Sequence, residues 1–87
     1  MTEKEIQLLG FKREDMNDGD YSGYYYAYRI ANGFEFLSNA NDEIEKDGSW
    51  FVEFFNSNPQ IRFDEFGEMQ ALINLIEKRI VKEDKKV

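Results

Sequence analysis

Two periodicities divide this chain. Between Tyr21 and Leu37 large apolar residues alternate with other types, so Tyr24, Tyr26, Tyr28 and Ile30 share one face of an extended strand and Tyr25, Ala27 and Arg29 the other. From Phe66 onward the spacing changes to three and four. Phe66, Met69, Leu72, Ile73, Ile76 and Ile80 form one apolar stripe, which predicts a helix over about 65–82. Asp64 reads as its N-cap, and Lys78, Arg79 and Lys82 suit the negative end of its dipole.

The return of the first strand is set by its turn. A two-residue Asn32-Gly33 turn would place the phenylalanines opposite the Tyr/Ile face. A three-residue Ala31-Asn32-Gly33 loop pairs Ile30 with Phe34 and Tyr28 with Phe36, which gathers the large side chains on one face. The three-residue loop is therefore expected. SNANDEIEKDGS, residues 38–49, is a long polar connection, and Trp50 to Phe55 is a third strand with Trp50, Val52 and Phe54 inward. Pro59 precedes a short fourth strand at 60–63, where its missing N–H is tolerated.

At the other end, Thr2 and Glu5 have the form of a capping box, and Gly10 closes a helix over about 3–9. KREDMNDGD, residues 12–20, is polar with an Asp-Gly step and reads as a connecting loop. The expected fold is α+β in one domain, 1–87. It is an antiparallel three- to four-stranded meander packed on the long C-terminal helix, with the short N-terminal helix beside it and a frayed tail at 83–87. The core should hold Tyr26, Tyr28, Ile30, Phe34, Phe36, Trp50, Val52, Phe54, Phe66, Met69, Leu72, Ile73 and Ile76.

Composition narrows the chemistry. The chain has no cysteine and no histidine, which removes thiol nucleophiles, disulfides, Ser-His-Asp triads and cysteine-ligated metals. No Gly-rich phosphate loop is present. The expectation is no enzyme, no cofactor and no metal. Glu43-x-Glu45-x-Asp47-Gly48 imitates the start of a calcium loop, but its twelfth position falls on Phe54, where a bidentate Glu belongs. The charge of −7 disfavours nucleic acid and anionic membranes, and no stretch approaches a membrane span. Tyr25 with Arg29 offers a base-stacking pair, without the basic groove that would accompany it. A soluble cytoplasmic protein is expected.

What remains is the second face of the sheet. Tyr25, Leu37, Phe51 and Phe55 point away from the long helix, more apolar surface than an open sheet face should carry. Either the N-terminal helix covers them through Ile6, Leu9 and Phe11, or they form an interaction face for a protein partner or a second copy. The acidic loop of Asp42, Glu43, Glu45 and Asp47 is a second candidate contact.

The runs TEKEIQLLGF, YYYAYRIANGFEFLSNANDEI, SWFVEFF and IRFDEFGEMQALINLI resemble small proteins of phages and mobile elements from Bacteroides-type gut bacteria, a group with no assigned activity. The resemblance implies a bacterial cytoplasmic setting and a phage accessory role such as binding or inhibiting a host protein. It carries no site residues.

Overall fold

The computed structural model describes residues 1–19, 21–44 and 48–81, without the side chains of Asp18 and Tyr21. Its elements are α1 (Glu3–Leu8), β1 (Lys12–Asp18), β2 (Tyr21–Ala31), β3 (Phe34–Ser38), a 3-10 turn (Asn41–Glu43), β4 (Val52–Phe54), β5 (Arg62–Phe63) and α2 (Phe66–Arg79). The five strands form one antiparallel meander in sequence order, with β1 and β5 at its edges. The α+β plan is as expected; the frayed tail and the Glu45 and Asp47 half of the acidic loop lie outside the described residues.

The first correction is β1. The polar segment expected as a loop pairs along its whole length with β2, from Lys12 opposite Ala27 to Asp18 opposite Tyr21. Its alternation is hidden because neither face is apolar; pairing with a strongly strand-forming β2 overrides that composition. Gly19, the residue directly after β1, takes φ +64, a left-handed conformation suited to glycine.

The register of β2 on β3 places Tyr28 opposite Phe36, as the three-residue loop requires. The extra residue sits elsewhere, however. Ala31 pairs with Phe34, and a register shift between Arg29 and Ala31 absorbs Ile30 as a bulge. Gly33 has φ +78, while Asn56 is the only described non-glycine residue with positive φ, so Asn32 does not adopt the geometry of a type I′ turn.

β4 is shorter than the expected 50–55 segment because its neighbours change partner. Trp50 N donates to Met1 O at 2.8 Å, and the Met1 ammonium donates to Trp50 O at 2.9 Å and Asp64 O at 3.0 Å. Asp64 therefore contributes its carbonyl to the chain start, and Glu65, not Asp64, is the N-cap of α2, without a side-chain cap bond.

Where β3 diverges from β2, side chains continue the ladder. Ser38 Oγ accepts from Tyr26 N at 2.9 Å and Asn41 Oδ1 from Tyr24 N at 2.8 Å. Asn39 is buried and its Oδ1 accepts from Phe51 N at 3.0 Å. These residues look like turn formers in the sequence, but they satisfy backbone groups that burial would otherwise orphan.

The core lies between the sheet and both helices. Phe36, Val52, Met69 and Ile6 are fully buried, and Tyr26, Trp50, Ile73, Leu9 and Phe11 nearly so. Tyr28, Ile30, Phe34, Phe54, Phe66, Leu72 and Ile76 pack at its margin. The capping box forms as the spacing predicts, with Thr2 Oγ1 accepting from Glu5 N at 3.1 Å and Glu5 Oε1 from Thr2 N at 2.9 Å. Gly10 has φ +98 and approaches Tyr28 so closely that a Cβ would lie 3.2 Å from its ring. That turn sends α1 to the α2 side of the sheet. Ile6, Leu9 and Phe11 enter the main core and leave the opposite face uncovered among the described residues.

Candidate functional site

The uncovered face is built by strand alternation. One row crosses all five strands in register: Lys12, Ala27, Leu37, Glu53 and Arg62. On one side of it Arg29 lies opposite Glu35, and Phe55 joins through its N–H to Glu35 O at 2.9 Å. On the other side Glu14 lies opposite Tyr25, and Asn39 pairs through its backbone with Phe51.

Each expected interaction residue can be placed. Leu37 sits near the middle, half-buried between Ala27 and Glu53. Tyr25 is half-buried near the β1 side. Phe51 is half-buried because the Arg62 guanidinium lies 3.8 Å over its ring while bridging to Glu53 at 3.6 Å. Phe55 is the open one, 56% exposed. The four residues belong to one face but do not fuse into one apolar patch; charged side chains separate them.

Of those separators, Arg29, Glu35 and Glu53 follow from strand alternation in the sequence, whereas Lys12, Glu14 and Arg62 were missed as part of the face. Lys12, Arg29 and Arg62 balance Glu14, Glu35 and Glu53, so the described charges of the face cancel on a chain of charge −7. Lys12, Glu14, Arg29 and Glu35 surround an open groove of about 510 Å³ over the nearly buried Ala27. The signal for Lys12 and Glu14 was the Asp-Gly turn ahead of the tyrosine run.

The acidic loop divides. Asp42 and Glu43 lie exposed in the 3-10 turn, and the Glu43 carboxylate accepts from Ala40 N at 2.9 Å, so that acid serves the local fold. Among the described residues no group of three or more acids is placed to hold a metal ion, and no described helix is long and apolar enough to cross a membrane.

The helix-covered face carries the polar chemistry of the tyrosines. Tyr26 Oη donates to Glu3 Oε2 at 2.8 Å and accepts from Gln7 Nε2 at 2.9 Å. The Tyr24 phenol is held above its usual pKa chiefly by its hydrogen bond to Glu3, and Tyr26 chiefly by burial with Glu3 adding. Tyr28 donates to Glu77 of α2, which pushes it up to about 12. These phenols fasten helices to sheet; they are not poised as acids or bases near neutrality.

Comparison with protein-family models, curated proteins and solved structures gives no match to this chain.

Proposed function

We propose that this protein is a small acidic protein-interaction module that receives a protein partner on its open sheet face. The observation that carries the reading is the docking of α1 beside α2, which leaves Tyr25, Leu37, Phe51 and Phe55 on a face that no described element covers. A face whose described charges cancel, within an acidic chain, lets a partner approach without the repulsion the remaining surface exerts. The fitting partner surface presents apolar side chains to Phe55 and Leu37, ringed by charges of both signs for the Arg29–Glu35 and Glu53–Arg62 pairs.

The reading includes no catalytic role, consistent with a chain that lacks histidine and cysteine. A single-stranded nucleic acid is the weaker occupant, because the three bases of the face alternate with three acids and form no track for phosphates. The sequence resemblance supplies the setting, a phage-borne accessory that binds a bacterial host protein in the cytoplasm.

The test is affinity capture from bacterial lysate by the wild type, by Phe55→Asp and by Leu8→Asp. Leu8 is 62% exposed on α1 and serves as a control away from the face. A protein retained by wild type and Leu8→Asp but lost with Phe55→Asp supports the reading. Equal retention by all three defeats it, provided circular dichroism shows each variant folded.

A further inference from the structure

We propose that β1 is a self-association edge: two copies of the chain join antiparallel through β1, with Arg13 of one protomer opposite the partner's Asp15. Among the described residues β1 ends the sheet, with β2 as its one strand neighbour, so no described strand pairs with its outer side. It is also the longest strand after β2. The edge shares Lys12 and Glu14 with the open face but none of its apolar residues, so this inference does not rest on the reading above.

The charge order along β1 selects the occupant. A two-fold axis normal to the sheet preserves its faces, so one residue of the strand must lie on the axis. An axis at Arg13 would set two guanidiniums opposite each other on the helix side and leave the alternating square to Lys12 and Glu14 on the open side. One at Asp15 would oppose two carboxylates with no such square. An axis at Met16 would set Asp15 opposite the partner's Asn17, which offers it no opposite charge. The axis at Glu14 also opposes two like charges, but its square uses Arg13 and Asp15, which are already paired within the strand. On the helix side it makes a square of alternating sign, in which Arg13 faces the partner's Asp15 and Asp15 faces the partner's Arg13. On the open side the two Glu14 carboxylates meet, flanked diagonally by Lys12 of each copy.

The groups that would form this square are already in place. Arg13 and Asp15 are 54% and 58% exposed and hold each other at 2.9 Å. The guanidinium is fixed 3.7 Å over the Tyr24 ring, which in turn stacks on Trp50. Little side-chain freedom is left for association to remove. Edge charges ordinarily keep other strands away. Here the alternation of sign keeps that protection against most partners and registers while matching the strand to itself. Pairing in this register would extend the meander into a ten-stranded sheet with all helices on one side.

Sedimentation velocity across a concentration series tests the edge, using wild type, Arg13→Asp, Asp15→Arg and an equimolar mixture of the two variants. The wild type is expected to shift from monomer to dimer as concentration rises, and each variant alone to remain monomeric. The mixture should recover the dimer, because the altered edges are again opposite in sign. Asp15→Asn, which keeps the side-chain size, should weaken the dimer by roughly tenfold, since the change acts twice across the axis. A wild type that stays monomeric to about 1 mM overturns the proposal. So does a dimer indifferent to every β1 variant, or one lost with Phe55→Asp alone, which would put the contact on the open face instead.

Discussion

The two faces of this sheet use the same residue types to opposite ends. On the helix side, aromatic rings touch aromatic rings: Phe36 lies 4.7 Å from Phe54, Tyr26 lies 5.6 Å from Trp50, and the phenol oxygens of Tyr26 and Tyr28 are tied to carboxylates on the helices. On the open side the described contact of Phe51 is with a cation, and Phe55 stands in solvent. Aromatic content therefore does not distinguish core from contact surface; what the rings are packed against does. The difference also separates stability from recognition, because a ring in a closed core contributes to folding whereas an exposed one contributes when something covers it.

The largest expected effect breaks the comparison if it fails. Phe36→Ala removes a fully buried ring and should cost about 3–5 kcal/mol, while Phe55→Ala, at 56% exposure, should stay within about 0.5 kcal/mol. Urea denaturation of both variants measures the contrast. Similar losses at the two positions would mean that the open face is structural.

Next comes α1, whose position decides that the second face is open. Ile6 is fully buried and Leu8 is 62% exposed, so Ile6→Ala should cost about 2–5 kcal/mol and Leu8→Ala almost nothing. If α1 instead lay across the open face, Tyr25 and Leu37 would become protected when it docks. Hydrogen–deuterium exchange of the Ile6→Ala variant separates the cases. Loosening should spread to Tyr26 and Trp50, and spread to the Leu37 side instead would contradict the packing.

The same comparison explains what could be read from the chain. The helix-side face was legible because its residues satisfy two independent periodicities at once: period two in Tyr26, Tyr28, Phe36 and Val52, and the helical stripe of Met69 and Ile73. Both had to face the same core. The thirteen expected core residues all lie in or against it. β1 was not legible, since Lys12, Glu14 and Met16 alternate with Arg13, Asp15 and Asn17 and neither set is apolar. An edge strand with both faces polar differs from a loop mainly in its turn. The fate of the open face was undecidable from pattern alone, because Ile6, Leu9 and Phe11 would make equal sense against either side. Gly10, through its left-handed turn beside Tyr28, is where that choice becomes geometric.

A third test concerns the phenols and the direction of their pH dependence. Glu77 pushes Tyr28 up to about 12, against an ordinary value near 10. The folded state thus holds this proton more tightly than the unfolded state. Its contribution is complete below about pH 10 and is lost as pH rises toward 12. Tyr28→Phe should make the stability curve flatter between those limits, without abolishing its slope because Tyr24 and Tyr26 are raised too. Denaturation midpoints at pH 8 to 11 measure it. An unchanged slope would mean that Tyr28 does not tie α2 to the sheet.

The smallest expected effect sharpens the other side. Arg62 covers Phe51 at 3.8 Å and reaches Glu53 at 3.6 Å, yet its side chain is half exposed, so both contacts are screened by water. Arg62→Gln should cost no more than about 0.5–1 kcal/mol of stability. It should also uncover the Phe51 ring, seen as a change in the aromatic proton shifts of Phe51 while those of Phe36 stay put. A small stability loss with that local shift would identify Arg62 as a removable cover on an otherwise preformed contact surface. A loss as large as that of Phe36→Ala would place Phe51 in the core after all, leaving Leu37 and Phe55 as the remaining apolar anchors of an open face too sparse to hold a partner by apolar contact.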